Sequence, residues 1–142
     1  MSDKAINILL VEDDDIDIMN VKRAFKKNNV QNPLLIAEDG LKALEMLKAL
    51  KASNQPVPKI ILLDLNMPRM GGIEFLKELR NDDGLKDISV FVMTTSSEET
   101  DIVDAYRLNV AGYIVKPLSI ETFINAVSTL NNYWTLCEYP NF

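Results

Sequence analysis

Glu12 and Asp13, Asp64, Thr94 with Thr95 and Ser96, and Lys116 are the residues of this chain whose types can do chemistry together. Each group ends a short apolar run. Glu12 and Asp13 follow Ile8-Leu9-Leu10-Val11, and Asp64 follows Ile60-Ile61-Leu62-Leu63. Thr94 follows Val90-Phe91-Val92-Met93, and Lys116 follows Gly112-Tyr113-Ile114-Val115. Singly, each has a plain structural use: Asp13 as a helix cap, Asp64 or Thr94 in a turn, Lys116 as a solvated charge. Together they are more restrictive. Three ionised carboxylates sum to −3 and Lys116 returns +1, so either a carboxyl protonates or a cation binds. Donors that are all oxygen select a hard cation, for which Mg²⁺ is the natural candidate. Such a site accepts a phosphoryl group, with the metal, Lys116 and Thr94 stabilising its oxygens. A carboxylate is itself a nucleophile, and Asp64, between the acidic pair and the lysine, is best placed to form an aspartyl phosphate.

This convergence depends on the elements that carry the residues. The runs Ile6–Val11, Pro33–Ala37, Ile60–Leu63, Val90–Met93 and Gly112–Val115 suit strands buried on both faces. Segments with helical apolar spacing lie between and after them: Ile18, Val21, Phe25; Leu41, Leu44, Leu47; Ile73, Leu76, Leu79; Ile102 or Val103, Tyr106, Val110; and Phe123, Val127, Leu130, Trp134. All five stripes read as core packing. Asp14 or Asp15 is expected to cap the first helix, Asp39 to open the second and Ser97 to cap the fourth. Gly71-Gly72 suits a turn into the third helix. Such alternation implies an α/β fold: a three-layer, doubly wound, five-stranded parallel sheet of flavodoxin-like order 2-1-3-4-5. Ligands in that architecture bind beyond the carboxyl ends of the strands, where the acidic, hydroxyl and lysine groups fall.

Composition excludes competing chemistries. The chain has 142 residues, a net charge of −6, no histidine and one cysteine, Cys137. Without histidine there is no Ser-His-Asp triad and no histidine-ligated zinc. One cysteine forms no internal disulfide. The acidic balance disfavours nucleic acid and anionic lipid. The polar start Met1-Ser2-Asp3-Lys4 lacks a signal-peptide pattern, and no apolar stretch approaches the ~20 residues of a membrane span. A cytoplasmic address is the expectation. Asp13-Asp14-Asp15-Ile16-Asp17 opens like a calcium loop, but Ile18 and Ala24 stand where glycine and glutamate are required. No glycine-rich phosphate cradle occurs.

The stretches Ile8–Asp13, Leu62–Gly72, Val92–Ser96 and Gly112–Pro117, in this order, resemble the CheY-like receiver domain of two-component response regulators. The resemblance covers roughly residues 6 to 130. It implies that Asp64 is the phosphoacceptor for a histidine kinase, and that Asp13, Asp64 and the backbone carbonyl of Asn66 bind Mg²⁺, with Glu12 acting mainly through metal-bound water. It implies that Thr94 is the switch hydroxyl, Lys116 the partner of the phosphoryl oxygens and Tyr113 the coupled aromatic switch. Asn66 and Ser96 flank the site, where the family tunes phosphoryl lifetime. A cis Lys116-Pro117 bond is a further family feature. A docking module of the same fold and a metal-dependent hydrolase are the competing classes. The complete set of Glu12, Asp13, Asp64, Thr94 and Lys116 opposes the first, and the lack of an inserted cap opposes the second.

A narrower resemblance is to single-domain receivers associated with cyanobacterial phytochrome kinases. They share the Thr94-Thr95-Ser96 form, a long loop like Lys51–Pro58, and an aromatic-tryptophan extension of the last helix ending near a proline, here Tyr133-Trp134 through Pro140. Tyr133 and Tyr139 replace the phenylalanine and leucine usual there. The resemblance implies a receiver over residues 1–130, a C-terminal extension over 131–142, and a homodimer through the helix 4–strand 5–helix 5 face and the tail. The alternative for the tail is folding back on its own domain. The residues beyond about 130 are too few for a DNA-binding output domain, so output is expected through protein contacts.

Overall fold

The computed structural model describes residues 6–116 and 119–139. Its elements alternate: β1 (Ile8–Val11), α1 (Asp15–Lys27), β2 (Leu34–Ala37), α2 (Gly40–Ala52), β3 (Ile60–Leu63), α3 (Gly72–Arg80), β4 (Ser89–Thr94), α4 (Glu99–Arg107), β5 (Gly112–Val115) and α5 (Ile120–Leu136). The five strands are parallel in the order β2-β1-β3-β4-β5. The flavodoxin-like order read from the sequence is the observed one. The Lys116-Pro117 bond and Pro140 lie outside the described residues, as do the first five and last three residues of the two expected domain spans.

Short apolar runs become strands here because both sheet faces are covered. In β1, β3 and β4 successive side chains enter two separate cores. Leu9, Val11, Ile61, Leu63, Val90 and Val92 pack on the side of α2, α3 and α4. Ile8, Leu10, Ile60, Leu62, Phe91 and Met93 pack on the side of α1 and α5. Expected burial on both faces fails for the edge strands: β2 and β5 are mostly half-buried, each having a neighbour on one side only. Val115 at the end of β5 is 44% exposed.

Four of the helical stripes are core as read, although Leu41, at 39% exposure, leaves the second. The fourth differs. Tyr106 is 51% exposed, and the small Ala105 is the buried residue of α4. Asp14 and Asp39 do cap α1 and α2, each accepting backbone N–H bonds. Ser97 does not cap α4: Glu98 occupies that position without a side-chain cap bond. Three helices end through an asparagine in the left-handed region, Asn29 (φ 55°), Asn54 (62°) and Asn109 (62°).

Parallel register brings the chemistry together. Val11 pairs with Leu63 and Leu63 with Val92, so the next residues, Glu12 and Asp64, emerge side by side. The Asp64 N–H donates to the Val11 carbonyl (3.0 Å), and the Lys116 N–H to the Thr94 carbonyl (2.7 Å).

Candidate functional site

Asp14 turns the chain from β1 into α1. Its Oδ1 accepts from the N–H groups of Ile16 (2.8 Å) and Asp17 (3.3 Å), while the Asp14 N–H donates to Glu12 Oε2 (3.3 Å). Glu12 is thereby drawn under the start of the helix and buried, and Asp13 stays at the mouth, exposed. Just beyond β3, Asp64 is buried at 6% exposure. Carboxylate oxygens of Glu12, Asp13 and Asp64 lie within 4.8 Å of one another. Three convergent carboxylates without nitrogen or sulfur donors suit a hard divalent cation.

Lys116 enters from β5. Its Nζ lies 2.6 Å from Asp17 Oδ2, 2.7 Å from Glu12 Oε1 and 3.8 Å from Asp64 Oδ2. Burial pushes the Glu12 carboxyl up to about 8; the Lys116 contact opposes that rise and the Asp64 charge adds to it. Burial pulls Lys116 downward, but its bonds to Asp17 and Glu12 outweigh that and hold it above its ordinary value. Negative charge therefore exceeds positive charge in a half-closed pocket, and a divalent cation is the species that balances it.

A hydroxyl relay borders the acids. Thr94 is fully buried, and its Oγ1 accepts from the Ser96 N–H (3.3 Å), with Asn66 Nδ2 at 3.5 Å. The Asn66 N–H in turn donates to Asp64 Oδ1 (3.3 Å). Tyr113, half-buried, donates its hydroxyl to the Ser96 carbonyl (2.8 Å). Ser96 Oγ donates to Asp101 Oδ2 (2.6 Å) on α4. One loop residue therefore touches Thr94, Tyr113 and α4 together.

All of Glu12, Asp13, Asp64, Asn66, Thr94, Tyr113 and Lys116 fall on this edge of the sheet. The tail residues do not. Trp134 is 2% exposed, its ring meets Phe25 edge-on at 6.2 Å, and its Nε1–H donates to Asn131 Oδ1 (3.0 Å). Tyr133 is 54% exposed, with its ring 6.0 Å from that of Phe91. Two participants were not legible in the sequence: Asp17, the nearest carboxylate to Lys116, and Asp101. The local signal for Asp17 is the cap at Asp14, which places residue 17 in the first turn of α1, facing the strand ends.

A doubly wound parallel sheet thus carries an acidic triad, a buried threonine and a lysine at its carboxyl edge. Residues 8–128 match the response regulator receiver domain, and the chain belongs to that family. It is similar to response regulator Rcp1 of Synechocystis sp., 37% identical over 128 residues that cover 89% of this chain and 87% of the relative. Among solved structures, the phosphorylated cyanobacterial phytochrome response regulator RcpA superposes with a TM-score of 0.87 at 33% identity, covering 96% of this chain and 99% of that one. The Mn²⁺-bound form of Rcp1 superposes with a TM-score of 0.84 at 34% identity and the same coverages. Among the described residues no helix is long and apolar enough to cross a membrane.

Proposed function

We propose that this chain is a stand-alone receiver that accepts a phosphoryl group on Asp64 from a sensor histidine kinase, in a reaction that needs Mg²⁺. The observation that carries this reading is the juxtaposition of the Glu12, Asp13 and Asp64 carboxylates within 4.8 Å, with the Lys116 ammonium 3.8 Å from Asp64. Asp13, Asp64 and the carbonyl of Asn66 would hold the cation directly and Glu12 mainly through metal-bound water, and the cation would supply charge neutralisation for the transferring group. The Asp64 carboxylate attacks phosphorus, and the donor's nitrogen–phosphorus bond breaks with its electron pair leaving on the imidazole. Having no histidine, the chain draws its donor from another protein. The phosphoryl group adds about −1.5 to −2 charge and new acceptor oxygens. Thr94 then turns toward those oxygens, its link to Ser96 pulls the β4–α4 loop, and Tyr113 repacks. The α4–β5–α5 face changes shape, and a partner that prefers the new face shifts the population. The chain acts as a cytoplasmic phosphorelay switch rather than by turning over an external substrate.

The likeness to RcpA, a phytochrome response regulator, supports a phytochrome-like kinase as the donor. A homodimer through the α4–β5–α5 face and the C-terminal extension is part of the same proposal, with the receiver spanning 1–130 and the extension 131–142. Since Trp134 is buried, its part in such a dimer is to fix the extension against α1, leaving Tyr133 and Leu136 as its exposed apolar groups. Acetyl phosphate and Mg²⁺ test the central claim through intact mass. The wild type is expected to gain one phosphoryl group and Asp64→Asn none. Equal gain by Asp64→Asn, or none by the wild type, overturns the assignment.

A further inference from the structure

Asp17 is the group at this edge for which the phosphoryl-transfer reading has no task. Its Oδ2 stands 2.6 Å from Lys116 Nζ, closer than Glu12 at 2.7 Å and much closer than Asp64 at 3.8 Å. An ammonium has three donors, and two of them are directed away from the acceptor carboxylate. The backbone of Asp17 is held in the first turn of α1. Its own N–H donates to the Asp14 cap (3.3 Å), and the next N–H, that of Ile18, already makes the helical bond to the Asp14 carbonyl (2.9 Å). A cavity of about 60 Å³ between α1, α5 and the sheet, lined by Leu10, Leu62, Met93 and Phe123, also borders Asp17, Asp64 and Lys116.

We propose that Asp17 is a positioning residue that holds Lys116 back from Asp64 in the unphosphorylated protein and competes with the phosphoryl group for the ammonium. The inference rests on Asp64 being the acceptor. Before transfer, one cation faces Glu12, Asp17 and Asp64, and the two short contacts win. Transfer adds charge and acceptor oxygens on the Asp64 side, and Lys116 crosses the gap only by giving up its bond to Asp17. Asp17 thus raises the free energy of the phosphorylated state relative to the resting state and sets how readily the switch is thrown. Its side chain is 31% exposed and that of Lys116 is 13% exposed, so the pair lies between a solvent-screened ion pair and a buried one.

The test uses beryllium fluoride, a phosphoryl mimic, titrated into the full chain at saturating Mg²⁺ and read by the amide NMR shifts of Thr94 and Ser96. Asp17→Asn and Asp17→Ser are expected to bind the mimic about three- to tenfold more tightly than the wild type. In a Lys116→Ala background the same two substitutions are expected to change nothing. Unchanged or weaker binding by the Asp17 variants overturns the inference, and so does an equal gain in both backgrounds, since that would be a general effect on the α1 turn or on net charge. Failure of the wild type to bind the mimic at all would instead strike the phosphoacceptor reading, and the inference with it.

Discussion

At the scale of single residues, Glu12 makes the site sensitive to pH. Its folded value of about 8 stands above the ordinary 4.5, because burial disfavours the carboxylate. Between those values the folded protein holds a proton that the unfolded chain has released, so stability falls as pH rises through this window. The contribution is fully present below about 4.5 and gone above about 8. Lys116 is raised above 10.5, so its stabilising charge is present below that value and is lost only at higher pH. Across the neutral range Glu12 is the member of this pair that titrates. A cation beside Glu12, reached mainly through metal-bound water, favours the ionised carboxylate, so below pH 8 the proposed Mg²⁺ binds against the Glu12 proton. Calorimetric titration is therefore expected to show Mg²⁺ affinity climbing from pH 6 to 8, by at most about tenfold per unit, and levelling beyond. Glu12→Gln should flatten that profile, and a wild-type profile already flat would refute the buried, protonated carboxyl. Glu12, Asp64, Thr94 and Lys116 were legible in the sequence because each ends a strand, and parallel strands align their ends. Asp17 was not. Its partner is 99 residues away, and four aspartates crowd positions 13 to 17, so only the observed cap at Asp14 decides which one faces the lysine.

At the scale of elements, the approach of α3 to β3 fixes the segment that carries Asp64. A Cβ on Gly72 would stand 2.7 Å from both the Asp64 carbonyl oxygen and Leu65 Cα, which are backbone atoms that cannot step aside. The Gly72 N–H donates to the Leu65 carbonyl (3.0 Å), closing the turn that presents Asp64 and Asn66. Gly72→Ala is expected to destabilise the fold by about 1–3 kcal/mol and to slow phosphorylation by acetyl phosphate as the turn shifts. Urea melts and intact-mass time courses check both effects, and wild-type behaviour in each would show the contact to be soft. The sequence offered Gly71-Gly72 as a turn but not this close approach, which depends on strand and helix meeting. The same limit explains α4. That helix is seated through the small Ala105, so the stripe of large residues that the sequence offers through Tyr106 is not its buried face. Ser96, bonded to Asp101, ties its start to the loop, whereas Ser97 had been the residue to expect. Central strands were legible because burial on both faces removes alternation, and the edge strands looked the same only because their exposure is partial.

At the scale of the molecule, the question is what the extension beyond the receiver does. α5 continues to Leu136, and Trp134 closes the core between α1 and α5, with the Tyr139 hydroxyl donating to the Trp134 carbonyl (3.2 Å). The two readings of the tail are therefore not alternatives. One face of the helix folds back on its own domain while the other stays open, with Leu136 81% exposed and Tyr133 54% exposed. A truncation before Trp134 would confuse the two roles, because removing a buried tryptophan side chain alone costs about 3–5 kcal/mol. Point substitutions separate them. Trp134→Ala is expected to lower the melting temperature sharply, whereas a charge at the exposed Leu136 touches no core contact. In the proposed homodimer, Leu136→Glu places that charge in an apolar contact and desolvates it on association, which opposes dimerisation. Light scattering on the phosphorylated or beryllium fluoride-bound protein should then show a lower mass for Leu136→Glu than for the wild type at equal concentration, with the melting temperature unchanged. Equal masses would confine the extension to stabilising its own domain and leave the α4–β5–α5 face to meet its partner without it.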